Sequence, residues 1–220
     1  MGVRDWPFKS NKKTKLFDNG QFVVASGIDD ISENEIYAMY WKKINTSKND
    51  LAAKIGTPSK SCTCYENPSR LWVKFPSNKF AEDFLKLLEN DDNWEDIKNI
   101  LIDEYKRVKQ DSDKHELFLE NKFVKIFDLN HFVVAFGKNS FAEKEDFIIA
   151  VRWDLDTKGH YDTAVGYPNK LCDRCKTKNI KMWIKIPDNT ICGFLKLLHN
   201  DQNTENFLKD NKEFIDELKK

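Results

Sequence analysis

The chain has 220 residues, enough to bury one large core or two small ones, and its 36 Lys plus Arg balance 36 Asp plus Glu, so bulk charge nominates no nucleic-acid partner. Met1 to Lys15 holds no apolar run of the kind a secretory signal needs, and no stretch approaches the ~18 apolar residues of a membrane span, so the expectation is a soluble, cytoplasmic protein. Five cysteines, an odd number without an export signal, argue against a disulfide framework and leave thiols or metal ligands.

The chain opens on a basic arm, where Arg4, Lys9, Lys12, Lys13 and Lys15 face only Asp5, and terminal charge of this kind is expected to be solvated. Asp18-Asn19-Gly20-Gln21 then separates two apolar runs. Asn-Gly suits the two positive φ angles of a type I′ turn, which predicts a hairpin with strands near 14–18 and 21–26. The run Phe17-Asp18-Asn19-Gly20-Gln21-Phe22-Val23-Val24-Ala25-Ser26-Gly27 returns as Phe127-Asp128-Leu129-Asn130-His131-Phe132-Val133-Val134-Ala135-Phe136-Gly137. There Leu129 resists positive φ, so a different turn in the same register is expected.

A third strand, Ile36 to Lys42, recurs as Phe147 to Asp154, with Trp41 and Trp153 at equivalent ends. A fourth, Leu71 to Pro76, recurs as Met182 to Pro187. Its alternation puts Leu71, Val73 and Phe75 on a buried face, and Trp72 and Lys74, like Trp183 and Lys185, on the other. Ser77-Asn78 and Asp188-Asn189 are helix-capping residues, followed by helical stripes at Phe80, Phe84, Leu87 and Leu88 and at Ile191, Phe194, Leu197 and Leu198. A second helix is striped by Trp94, Ile97, Leu101 and Tyr105, and less regularly by Phe207, Phe214, Ile215 and Leu218.

The polar segment Lys109 to His115 marks a boundary near Asp111, giving a first repeat over 1–111, with its arm and linker helix, and a second over 112–220. The expected fold class is α+β: a tandem duplication of a ββββαα unit, each antiparallel sheet covered by an amphipathic helix, the copies packed about a pseudo-twofold axis.

Between the third and fourth strands both copies read Gly-x-Pro-x-Lys-x-Cys, as Gly56 to Cys62 and Gly166 to Cys172. Turns explain the glycine and proline but not Lys60 and Lys170, nor the cysteines that follow. Cys62, Cys64, Cys172 and Cys175 would supply four thiolates for one structural zinc, the single cofactor suggested, if the fold brought the two loops together. Their other reading is four ordinary thiols. Cys192 reads as a small buried residue.

No triad, His-Glu-x-x-His motif or phosphate loop is visible, and none of His115, His131, His160 and His199 has a histidine at the matching position of the other copy. Trp72 and Trp183, sharing a face with lysines, would form an aromatic surface if that face were open. Packing of the copies against each other is the first reading of that surface, ahead of a protein partner and of unpaired bases. The preferred expectation is therefore a non-enzymatic interaction protein of inhibitor or immunity type. A nucleic-acid binder using Lys60 and Lys170 with the basic N-terminal arm comes second, and an enzyme with a site between the copies third; His160 is a separate candidate centre.

Overall fold

The structure is a computed structural model that describes residues 8–29, 32–41, 72–89, 93–110, 117–140, 142, 145–153 and 183–220, with the backbone alone for 10–12. It is a mixed α+β fold of two antiparallel sheets and, among the described residues, four α-helices. The first sheet runs β1 (Phe8–Asp18), β2 (Phe22–Asp29), β3 (Glu35–Trp41) and β4 (Val73–Lys74) in spatial order. The second holds β5 (Phe118–Leu129), β6 (Phe132–Asn139), β7 (Phe147–Trp153) and β8 (Ile184–Lys185), and β9 (Thr204–Asn206) adds a fifth strand outside β5.

The two hairpins share a register: Phe17 pairs with Val24 and Asp18 with Val23, while Phe127 pairs with Val134 and Asp128 with Val133. Their irregularities coincide as well. β1 shifts register between Phe8 and Lys13 and between Lys15 and Phe17, and β5 shifts between Phe118 and Phe123 and between Lys125 and Phe127. Each wider bulge swings the strand's first phenylalanine over the outer face of its sheet. In β5 that excursion passes through Glu120 and Asn121 at φ of 57° and 54°.

The turns reverse the expectation. In the first hairpin the turn begins one residue later than predicted, with Asn19 Oδ1 accepting from the amides of Gln21 and Phe22. Of its three loop residues Gly20 alone has positive φ, at 89°, the pattern of a II′ turn. The second hairpin is the one with two positive φ angles, Asn130 at 47° and His131 at 75°, as type I′ requires. Leu129 escapes the strain by remaining in β5, paired with Phe132. The basic arm is also partly structured, because Lys9, Lys13 and Lys15 lie on β1, and Lys9 pairs with Glu33 and Lys15 with Asp18.

Helix α1 (Asn78–Leu87) starts where Ser77 Oγ accepts from the Phe80 amide at 3.1 Å, and it buries Phe80, Ala81 and Phe84. Its counterpart α3 (Ile191–Asn200) follows a 3-10 turn at Asp188–Thr190 and buries Ile191, Phe194, Leu195 and Leu198. Helix α2 (Glu95–Arg107) carries acids in its first turn and bases in its last, as the helix dipole favours. It crosses onto the second sheet, with Trp94 at 6.2 Å from Phe136 and Tyr105 edge-on to Phe147 at 5.3 Å.

Helix α4 (Lys212–Lys219) is capped by Asn211, whose Oδ1 accepts from the Phe214 amide. Phe207 is not on its stripe, contrary to the sequence pattern. It sits just past β9 with its amide bonded to Ile126 O at 3.0 Å, because the open side of β5 captures this stretch as a strand and delays the helix to Lys212.

One hydrophobic core runs through both halves. Phe194 of α3 meets Phe80 and Phe84 of α1 edge-on at 5.8 and 5.7 Å. Neither sheet has a single covered face, since Val23 and Val24 are both buried, as are Val133 and Val134. The segment 111–116, which contains the expected boundary, lies outside the described residues. Among the described residues no helix is long and apolar enough to cross a membrane.

Candidate functional site

The two halves meet at their short strands. β4 and β8 are edge strands, and an edge carbonyl facing protein rather than water needs a donor. Trp41, at the end of β3, donates its indole Nε1–H to Lys185 O at 2.9 Å, and Trp153, at the end of β7, donates to Lys74 O at 3.1 Å. The exchange is reciprocal: each half's tryptophan caps the other half's edge strand. Sequence reasoning placed these tryptophans at equivalent strand ends and gave them no role. Two widely separated tryptophans in matching frames were the available signal.

On the outer face of the first sheet, Lys74 and Asp29 form a buried ion pair at 2.7 Å, with Ser32 Oγ also donating to Asp29 at 2.7 Å. Burial pushes the Asp29 carboxyl up, but hydrogen bonds from Lys74 and Ser32 and the lysine charge outweigh it, holding Asp29 below the usual carboxylate range. The second sheet carries Asn139 in the frame of Asp29, where it donates to Asp146 at 3.2 Å. Lys185 turns instead to Asp188 at 3.0 Å. No charge pattern in the sequence announced Asp29, whose partner is 45 residues away.

Trp72 and Trp183 do not form an outer aromatic surface. Both are fully buried. Trp72 packs under Phe8 at 5.1 Å and Tyr40 at 4.2 Å, with the Lys13 ammonium 5.6 Å from the ring centre. Trp183 packs against Phe118 at 5.1 Å, Phe123 at 5.3 Å and the Arg152 guanidinium at 4.6 Å. The reason is the wide bulge in β1 and β5, which the sequence pattern did not reveal: it folds each strand's start back as a lid. Lining a partner surface or stacking on bases is closed to both rings in this conformation.

Lys60, Cys62 and Cys64 fall in 42–71, and Lys170, Cys172 and Cys175 in 154–182, all outside the described residues. The flanks of both segments are described. The first runs from Trp41 to Trp72 and the second from Trp153 to Trp183, so each segment leaves from a tryptophan that bonds across the seam. Cys192 is partly buried against the core, consistent with a packing residue. His131 occupies the β5–β6 turn and His199 the last turn of α3, while His115 and His160 lie outside the described residues. Among the described residues no group of three or more His, Cys, Asp or Glu side chains is placed to hold a metal ion.

Between α2 and the start of α4 lies a surface groove of about 480 Å³, lined by Ile100, Asp103, Glu104, Arg107, Phe207 and Asn211 among others. Among its charges, Glu104 is engaged within the chain, with Arg107 at 2.7 Å and with Asn211 Nδ2 at 3.0 Å.

Exposed large apolar side chains are the remaining feature: Leu16 on β1, Ile28 on β2, Leu119 on β5, and Phe207. The first two lie on one sheet, and Leu16 stands in the frame of Ile126, which is fully buried. No protein family, curated protein or solved structure matches the chain.

Proposed function

We propose that the chain is an internally duplicated, non-enzymatic interaction protein of inhibitor or immunity type that binds a protein partner. The observation that carries this reading is the exposed Leu16 and Ile28 on the first sheet of a chain whose formal charges sum to zero. Apolar side chains left uncovered on a charge-balanced surface favour a protein interface over a phosphate-binding one. The duplication rests on the shared registers, the coincident bulges and the exchanged indole bonds.

Within this reading, Cys62, Cys64, Cys172 and Cys175 would hold one structural zinc, and Lys60 and Lys170 would offset part of its anionic ligand charge. The support is the four cysteines themselves and the residues that precede the two segments, Trp41 and Trp153, which bond across the seam. Elemental analysis of protein purified reduced and without chelator tests it: one zinc per chain is expected, and none would leave the cysteines as thiols.

The binding reading is tested by affinity capture with the intact chain followed by mass spectrometry, alongside heparin retention across a salt series. Capture of one dominant protein that persists in moderate salt is expected. Retention on heparin that vanishes with salt, together with captured nucleic acid, would replace the reading with phosphate binding.

A further inference from the structure

The tip of the first hairpin brings together the groups that close an asparagine side chain onto the main chain: a side-chain carbonyl held by amides, the next residue's nitrogen, and a carboxylate on that nitrogen. Asn19 Oδ1 accepts from the Gln21 amide at 3.0 Å and from the Phe22 amide at 2.7 Å. The Gln21 bond closes a hydrogen-bonded ring that contains both Asn19 Cγ and the Gly20 nitrogen. The Gly20 N–H in turn donates to Asp18 Oδ1 at 3.0 Å, and Lys15 fixes the carboxylate by donating to its other oxygen at 3.0 Å. Gly20 carries no side chain to hinder attack by its nitrogen, and Asp18 to Gln21 are exposed to water.

From this arrangement we infer that Asn19–Gly20 is a self-modifying site, at which the fold catalyses loss of the Asn19 side-chain nitrogen with Asp18 as base and the Gln21 and Phe22 amides as an oxyanion hole. Asp18 Oδ1 takes the Gly20 amide proton as that nitrogen bonds to Asn19 Cγ. Charge develops on Asn19 Oδ1, which the two amide donors already hold. The Cγ–Nδ2 bond then breaks, and Nδ2 leaves as ammonia with the proton that Asp18 returns. Water opens the resulting cyclic imide at either carbonyl, leaving an aspartate or an isoaspartate with an oxygen in place of the lost NH. This chemistry needs no partner.

The second hairpin is a built-in control. Asp128 Oδ1 likewise accepts from the amide that follows the turn asparagine, His131 N, at 2.7 Å. The other parts differ: among the described residues no amide donates to Asn130 Oδ1, and the attacking nitrogen belongs to a histidine. Conversion of Asn19 adds a negative charge beside Asp18. In the isoaspartate it also routes the main chain through Cβ and lengthens the turn by an extra atom. Turn geometry sets hairpin register, so the pairing of Asp18 with Val23 loosens in the first sheet while its counterpart stays intact.

The experiment incubates the intact chain at neutral pH and follows both asparagines by peptide mass spectrometry, with enzymatic methylation to count isoaspartate. The reference is the same chain unfolded in guanidinium chloride, where local sequence alone sets the rate. Asn19 is expected to convert at least about tenfold faster folded than unfolded, a modest share of what a placed base and oxyanion donors supply. Asn130 should stay intact. Asp18→Asn keeps an acceptor for the Gly20 amide but no base, and should slow the folded-state conversion by about tenfold or more with little change in the unfolded rate. Conversion no faster in the folded chain would overturn the proposal, since the turn would then protect Asn19. So would an unaltered folded-state rate in Asp18→Asn, or Asn130 converting alongside Asn19. Should Asp18→Asn fail to fold by circular dichroism, the ratio of folded to unfolded rates in the unaltered chain decides alone.

Discussion

The first sheet holds its outer face with a buried Asp29–Lys74 ion pair and Tyr40 against Trp72, whereas the second, in the same frames, uses Asn139 and stacks Arg152 on Trp183. The backbone register and both bulges are unchanged. The difference shows that strand frame and bulge positions set where a residue sits, while the chemistry that satisfies the site is interchangeable. An aromatic ring tilted by 47° and a guanidinium 4.6 Å from the ring centre both pack on an indole, the first by dispersion and the second by cation–π attraction. Cover is not interchangeable in the same way, because α2 and α4 both serve the second sheet.

If the halves share one core, the largest effect should come from Phe194, which touches α1 from α3. Phe194→Ala is expected to cost about 3–5 kcal/mol and to lower the single unfolding transition of the whole chain. Two resolved denaturant transitions in the unaltered protein would separate the halves and break the comparison at its root.

Asp29→Ala should come next, at about 3 kcal/mol, because it strands a largely buried Lys74 charge. Asn139→Ala in the other half should cost about 1.5 kcal/mol, because it removes a hydrogen bond to the Asp146 carboxylate without stranding a buried charge. The pH dependence sharpens the contrast. The folded Asp29 carboxyl lies below its unfolded value, so its stabilisation is complete above that unfolded value and is lost as pH falls through the folded one. The deficit of Asp29→Ala measured by urea melts should therefore shrink in acid, while that of Asn139→Ala should not follow the same course.

Trp41→Phe and Trp153→Phe each leave one edge carbonyl without its donor and should cost about 1–2 kcal/mol apiece by thermal melts. Near-equal costs are expected of a reciprocal exchange, and a several-fold inequality would make one bond incidental. The smallest effect concerns the turns. His131→Gly places glycine at a φ of 75° and should raise stability by about 0.5 kcal/mol, whereas Gln21→Gly, at a position without positive φ, should give no gain.

Much of the strand frame was legible, because a period of two and a repeated run locate pairing partners without tertiary knowledge. Trp41 and Trp153 were placed correctly at strand ends for that reason. Trp72 and Trp183 were legible as residues opposite the main core that pack within the chain, but the cover that buries them was not. Their cover comes from Phe8 and Phe118, which reach them only through bulges that no local pattern encodes. Phe207 fell outside its expected helix because capture by β5 is a long-range event competing with weak local periodicity. The turns were misassigned by a single residue of offset, enough to exchange I′ for II′. For the candidate site, lysine and cysteine motifs could be read, whereas Asp29 and the uncovered Leu16 depend on which helix crosses to which sheet.

The indole bonds across the seam also limit how the molecule can grow. A sheet edge with free carbonyls templates further strands without end, and paired edges at opposite ends of one molecule would allow a filament. At the seam, Lys74 O and Lys185 O are each already taken, and β9 at the far side is only three residues long. Among the described residues β1 is the one edge strand longer than three residues. The tryptophans act as chain terminators for the two sheets where they meet, closing edges that would otherwise template further strands.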